Sequence, residues 1–198
     1  MKTRGLVLSA WICLPMLLAA QAPDPGRSPQ PVKAISSADF EKAFHQAALA
    51  SRNHYRDIVS SGTVEILSVP HKKVTIAFPG AVKAGYKYEE LPDLFADALC
   101  VDKLIVLYFE GDNYSEAVSM YDQVKNLLDQ CRRKNIGGIW KMGDGKYLAL
   151  TRHGRAFDFE RDVEDEKTLH VSLVLEYEGT GKATVRMYLD INHYYYDE

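Results

Sequence analysis

Cysteine and tryptophan are scarce in this 198-residue chain, with three of the first and two of the second. Cys13, Cys100 and Cys131 lie too far apart for a Cys-x-x-Cys redox pair, and no histidine spacing beside them suggests a zinc site. The chain also lacks a His-Glu-x-x-His helix, a glycine-rich phosphate loop, a Gly-x-Ser-x-Gly elbow and the Asp-x-Asp-x-Asp-Gly calcium loop. Basic residues do not outnumber acidic ones, 24 against 27. The phosphate-neutralising face that nucleic acid demands is therefore not expected. No apolar run reaches the roughly 20 residues that span a bilayer.

What is there begins with a leader. Lys2 and Arg4 precede an apolar stretch from Leu6 to Ala20, and Ala20-Gln21-Ala22 ends it. This is the pattern of a secretory signal peptide over residues 1–22, with cleavage expected after Ala22. Cys13 falls inside it, because Leu14 to Ala20 continue the apolar run past the point where a lipid-anchored cysteine would stand. Removing Lys2 and Arg4 takes the formal net charge from −3 to −5. The mature protein is expected to be secreted or periplasmic, with no transmembrane segment. Residues 23–35 carry Pro23, Pro25, Pro29 and Pro31 and almost no apolar side chains, a flexible or extended tether. Residues 36–198 have the length of one domain. No internal repeat is evident.

The surest helix follows Asn113. Apolar residues recur at Tyr114, Ala117, Val118, Tyr121, Val124, Leu127, Leu128 and Cys131, a 3.6-residue period. Asn113 and Glu116 resemble a capping box, and Arg132, Arg133 and Lys134 suit the negative end of the helix dipole. Before it, Leu104 to Phe109 are continuously apolar, as in a central strand. A strand over Lys103–Glu110 extends roughly 23 Å and a helix over Tyr114–Cys131 roughly 26 Å. A helix returning along the strand would bring Cys131 near Cys100, and a structural disulfide between them is expected in an oxidising compartment.

A first helix is expected from Ala38 to Val59, with Phe40, Ala43, Phe44, Ala47, Ser51, His54, Tyr55 and Ile58 on one face. Val64 and Ile66, then Val74, Ile76 and Phe78, suggest two strands turning at Pro70-His71-Lys72-Lys73. Pro79 to Ala98 has no clear pattern beyond a possible helix starting at Pro92. Ile139–Met142, Tyr147–Thr151 and Ala156–Glu160 read as strands, with Met142-Gly143-Asp144-Gly145 a turn.

The clearest hairpin is the last. Leu169, Val171, Leu173, Leu175 and Tyr177 alternate with polar residues, as do Ala183, Val185, Met187, Leu189 and Ile191. Putting both sets on one face pairs Tyr177 with Ala183 and, on the other face, Glu176 with Thr184, Val174 with Arg186, Ser172 with Tyr188, and His170 with Asp190. The expected fold class is α+β: a single antiparallel β-sheet with two main helices packed on one face.

Chemistry is sparse. His170 opposite Asp190 has the elements of an oriented general base, against the plainer reading of a cross-strand ion pair. Asp158, Glu160, Asp162, Glu164, Asp165 and Glu166 crowd one stretch, but Arg161 and Lys167 interrupt it, and a solvated loop suits it better than calcium. His54 reads as a core residue. Tyr194, Tyr195 and Tyr196, with Tyr188, offer broad contact area with hydroxyl handles, although Ile191, His193 and Tyr195 also continue the strand. No cofactor or metal is expected. The residues point to a noncatalytic binding protein whose acidic surface suits a basic protein partner, which it would inhibit. A small secreted hydrolase using His170 and Asp190 is a second expectation. A ligand carrier with its pocket between the sheet and Pro79–Ala98 is a third.

Overall fold

Asn113 starts the long helix as its spacing requires. Its side chain accepts from the Glu116 backbone N–H at 3.2 Å and donates to Glu116 Oε1 at 2.7 Å, closing a capping arrangement at the head of α2, Tyr114–Arg133. Ala117, Tyr121, Val124, Leu127, Leu128 and Cys131 form its buried stripe. The structure is a computed structural model that describes residues 34–92, 98–143, 154–163, 167–177 and 181–195. The expected leader and most of the expected tether lie outside the described residues, as do Tyr196, the expected strand at Tyr147–Thr151 and Glu164 to Glu166.

The first helix, α1, spans Ser37–Ala50 with Ser36 as its N-cap. It stops well before Val59, because the chain passes through a 3-10 turn at Ser51–Asn53 and then holds His54 and Tyr55 in the left-handed region at φ 51° and 58°. The periodic apolar residues continue past the helix because Tyr55 and Ile58 fold back into the core after this corner.

Among the described residues eight strands form one antiparallel sheet: β1 Val59–Ile66, β2 Val69–Val74, β3 Lys83–Pro92, β4 Ala98–Gly111, β5 Lys141–Met142, β6 Gly154–Val163, β7 Lys167–Tyr177 and β8 Ala183–Tyr195. The first hairpin turns at Leu67-Ser68, both at positive φ, rather than at Pro70 to Lys73. Pro70 sits within β2 opposite Glu65. It is tolerated there because β2 meets β3 only at Lys72 and Lys73, so no second neighbour asks for the missing N–H. The segment after Pro79 is mostly strand. β3 pairs with β4 from Lys83 to Pro92, the last residue of the strand, and residues 93–97, over which the expected helix would run, lie outside the described residues.

Strand order is β1-β2-β3-β4-β8-β7-β6-β5. Each half of the chain is thus a helix followed by a four-strand meander, and the halves meet through their last strands, β4 and β8. This repeat of topology leaves no repeat in the sequence. The β7–β8 register is the one the alternation requires, with Tyr177 opposite Ala183 and His170 opposite Asp190.

Alternation gives the sheet two unlike faces. Leu104, Val106 and Tyr108 share a buried cluster with Leu169, Val171, Leu173, Leu175, Val185, Met187, Leu189 and Ile191, and with apolar side chains of both helices. We call this the core face. On the opposite face Ile105 and Leu107 form a smaller cluster with Ile66, joined by Val64, Leu67 and Tyr188.

No disulfide joins Cys100 and Cys131 in the structure, although both are buried. β4 starts at Ala98, five residues earlier than expected, and Cys100 stands eleven residues before Gly111. At about 3.3 Å per residue that is roughly 36 Å, whereas α2 returns only about 26 Å by Cys131, a gap beyond the roughly 7 Å a disulfide allows. The thiols face different neighbours. Tyr88 Oη donates to Cys100 Sγ at 3.0 Å, and Cys131 lies within electrostatic reach of the Tyr108 hydroxyl. Burial pushes the Cys131 thiol up to about 12.

Candidate functional site

Asp102 is out of place by composition. It stands in the most apolar strand of the chain, on the core face with Leu104 and Val106, and its side chain is 3% exposed. A buried carboxylate is tolerated only with donors around it. Two distant segments supply them. From β3, Tyr86 places its hydroxyl on Asp102 Oδ1. From the corner after α1, His54 brings Nδ1 to 2.6 Å from Oδ2.

The corner exists to make that contact possible. Two successive non-glycine residues in the left-handed region cost free energy and persist only where the surroundings enforce them. Tyr55 supplies much of the enforcement: it is fully buried, its hydroxyl donates to the Leu189 carbonyl at 2.9 Å, and its ring lies 6.0 Å from that of Tyr86. Asn53 Nδ2 donates to Asp57 Oδ1 at 3.0 Å and braces the same turn.

The chemistry of the network follows from donor counting. An ionised carboxylate only accepts, so His54 Nδ1 is the donor in its contact with Asp102 Oδ2. Burial, and then the hydrogen bond to Asp102, raise the Tyr86 phenol, which stays a donor at neutral pH. Arg56, exposed two residues after His54, acts on the Tyr86 hydroxyl weakly in the opposite sense. His54 keeps 23% of its side chain in water. The structure therefore holds a buried carboxylate, a phenol and an oriented imidazole that reaches the surface.

The opposite face presents different chemistry. Register places Lys87, Lys103, Asp190, His170, Glu160 and Lys141 in one row across β3, β4, β8, β7, β6 and β5. His170 does face Asp190, but its Nδ1 lies 3.1 Å from Glu160 on the other side. It sits between two carboxylates. Ser172, one step along on the same face, is buried and its hydroxyl has no hydrogen-bond partner, so it is not engaged by His170 as a nucleophile. Lys103 Nζ turns to Glu89 at 2.8 Å, and Lys103 with Lys87 holds the Glu89 carboxyl down to about 2.

Tyr194 and Tyr195 are strand residues, paired through β8 with Leu99 and Ala98 of β4. Tyr188 is half-buried on the opposite face beneath Arg186, whose guanidinium lies 5.6 Å from its ring centre. Burial raises its hydroxyl to about 12. Tyr196 lies outside the described residues, and of the four expected binding tyrosines Tyr188 is the one whose side chain is described. Of the acidic stretch, Asp158, Glu160 and Asp162 are strand residues of β6 that point to the opposite face, not members of a loop. Among the described residues no cluster of three or more His, Cys, Asp or Glu is arranged to hold a metal ion, and no helix is long and apolar enough to cross a membrane.

Comparison with protein-family models, with curated proteins and with solved structures gave no match for this chain. The His54–Asp102–Tyr86 network was only faintly legible in the sequence. Its one signal is an aspartate on the apolar parity of a central strand, which must find donors somewhere.

Proposed function

We propose that the protein works by binding, as a secreted or periplasmic domain whose two helices pack on the core face and leave the opposite face for a basic protein partner. The observation that carries this reading is the distribution of charge over β6, β7 and β8. Of the carboxylates on that face, Glu160, Asp162 and Glu176 reach solvent while Asp158 and Asp190 are buried, and the same strands add to it only one arginine, Arg186, and one histidine, His170. Arg186 is itself paired with Glu176. Such a surface attracts lysine- and arginine-rich partners and repels acidic ones, and it sets association rate and partner choice more than affinity. The net negative charge of the mature chain acts in the same direction.

Glu160 and Asp162 are the residues to reverse, since both keep solvent contact at the β5 end of the sheet. The test is a titration of the mature protein with purified basic proteins, a lysozyme first, by calorimetry at low and at physiological salt. Saturable binding that weakens with salt, and weakens about tenfold or more in Glu160→Lys/Asp162→Lys, is expected. Equal binding by the charge-reversed variant would reject the face. Removing Tyr194 to Glu198 is a poor control, because it deletes strand pairs with β4.

A further inference from the structure

One histidine is buried under a hairpin. His71 of β2 is 4% exposed, and the β1–β2 hairpin that carries it packs over Gly85 of β3, on the face opposite the core. We propose that His71 is a pH-sensitive latch: neutral, it lets the hairpin lie against β3 and β4, and protonated, it releases the hairpin and uncovers the apolar cluster of Ile66, Ile105 and Leu107. This inference is independent of the binding reading, which uses the surface of β6, β7 and β8.

The hairpin is weakly tied to the rest of the sheet. β2 pairs with β3 only at Lys72↔Tyr86 and Lys73↔Gly85, so packing must do most of the holding. Ile66, with Val64 and Leu67 beside it, covers Ile105 and Leu107 of β4. His71 closes that packing: it stands opposite Val64 within the hairpin, and the missing side chain at Gly85 leaves the space its Cβ approaches. Its Nδ1 lies 2.8 Å from the Val69 carbonyl, which only accepts, so the ring donates there and is fixed to its own strand.

The charged groups that act on the ring are Lys87 and Glu89 of β3 and Lys103 of β4. On its own strand Lys72 and Lys73 are exposed, β1 brings apolar Val64 and Ile66, and β8 brings the phenol of Tyr188 to the same cluster, with Asp190 next to Lys103 in the row. Glu89 already serves both lysines, at 2.9 Å from Lys87 Nζ and 2.8 Å from Lys103 Nζ. A second ring proton would therefore put a buried cation beside two lysines and one shared carboxylate. Burial holds the His71 pKa below its ordinary value. The Val69 carbonyl opposes that shift, and Lys87 and Lys103 add to it against Glu89. Release returns the ring to water and to its usual value of about 6.5, so opening takes up a proton. Opening is thus favoured as pH falls below about 6.5, by up to about tenfold per unit until the ring titrates in the closed state. Lys103 and Lys87 hold Glu89 down to about 2, and it stays ionised through this window.

The test is native-state amide hydrogen exchange of the mature protein at about pH 7 and about pH 5, each rate divided by the intrinsic rate of the unfolded amide at that pH. Protection of the β1–β2 amides should fall about tenfold or more between the two, while amides where β4 pairs with β8 change far less. His71→Gln keeps a side-chain donor but cannot gain charge, and its hairpin should be equally protected at both pH values. NMR titration of the His71 ring in the wild-type protein needs no variant to fold, and it should give an apparent pKa below about 6.5. Unchanged hairpin protection in the wild type, an equal loss in His71→Gln, a loss of the same size along β4 and β8, or a His71 ring that titrates at or above about 6.5 would each overturn the latch.

Discussion

At the scale of single residues, Arg161 has the largest structural task. It is buried on β6 and, among the described residues, meets no carboxylate. Its guanidinium donates to the Ala48 carbonyl, to the Gly137 carbonyl and, at 3.1 Å, to Ser51 Oγ. It also lies 5.2 Å from the centre of the Trp140 ring. Burial lowers its pKa, yet a guanidinium remains charged at neutral pH. The partners explain why a buried cation is tolerated: Ala48 is in the last turn of α1, the negative end of the helix dipole, and Gly137 closes the turn after α2. One side chain thereby ties both helices to β6. Arg161→Met keeps the bulk and orphans these acceptors, and should cost about 2–4 kcal/mol. Arg161→Lys should recover less than half of that, because a single ammonium cannot span the three acceptors. Urea unfolding midpoints with an unchanged m-value would measure both, and a lysine variant as stable as wild type would show that charge alone suffices.

At the scale of elements, the hairpin β1–β2 bends over the face opposite the core, and Gly85 is what lets it approach. A Cβ added there would lie 2.7 Å from His71 Cβ and 3.0 Å from Val64 Cγ1, with Ile66 Cδ1 at 3.2 Å. Two of these are β-carbon or branched-methyl atoms with little freedom to retreat. Gly85→Val should therefore cost about 1–3 kcal/mol through overpacking. NMR shift changes should centre on Val64, Ile66 and His71 and spare β6 to β8; an undisturbed hairpin would show that its approach has slack. The same hairpin shows where sequence reading succeeds and where it stops. The β7–β8 register was legible because two alternating apolar sets admit one shared face. The β1–β2 turn was not, because Leu67 and Ser68 take positive φ without the glycine or asparagine that announces it. The end of α1 was hidden for a related reason: tertiary contacts of Tyr55, not a local breaker, drive the chain into the left-handed region, while the apolar period runs on. The candidate site inherits that opacity. Residues 54, 86 and 102 meet through a corner, a strand with no clear pattern and a strand that masks its aspartate among apolar neighbours.

For the whole molecule, the repeated plan of helix and four-strand meander raises the question of whether the halves behave as two units or one. The seam argues for one. β4 and β8 pair from Ala98↔Tyr195 to Gly111↔Ala183, interrupted only by an irregularity between Leu107 and Phe109. The core cluster then mixes both halves, with Phe44 of α1 against Phe159 of β6 at 6.1 Å. Splitting the molecule at the seam would expose the inner edges of both meanders and open that cluster, so neither half retains an independent core. Unfolding in urea should be a single transition, coincident by tryptophan fluorescence and far-ultraviolet circular dichroism. Native-state hydrogen exchange should rank the elements by their place in the sheet. Amides of β4 and β8 at the seam should exchange only through global opening, and those of the β1–β2 hairpin and two-residue β5 at the sheet edges through smaller local openings. Two transitions, or an interior set of β6–β7 amides that exchanges well before β4, would mean that the second meander opens as a unit of its own. A single transition with the slowest exchange along β4 and β8 would make the seam the element on which the positions of His54, Tyr86 and Asp102 ultimately depend.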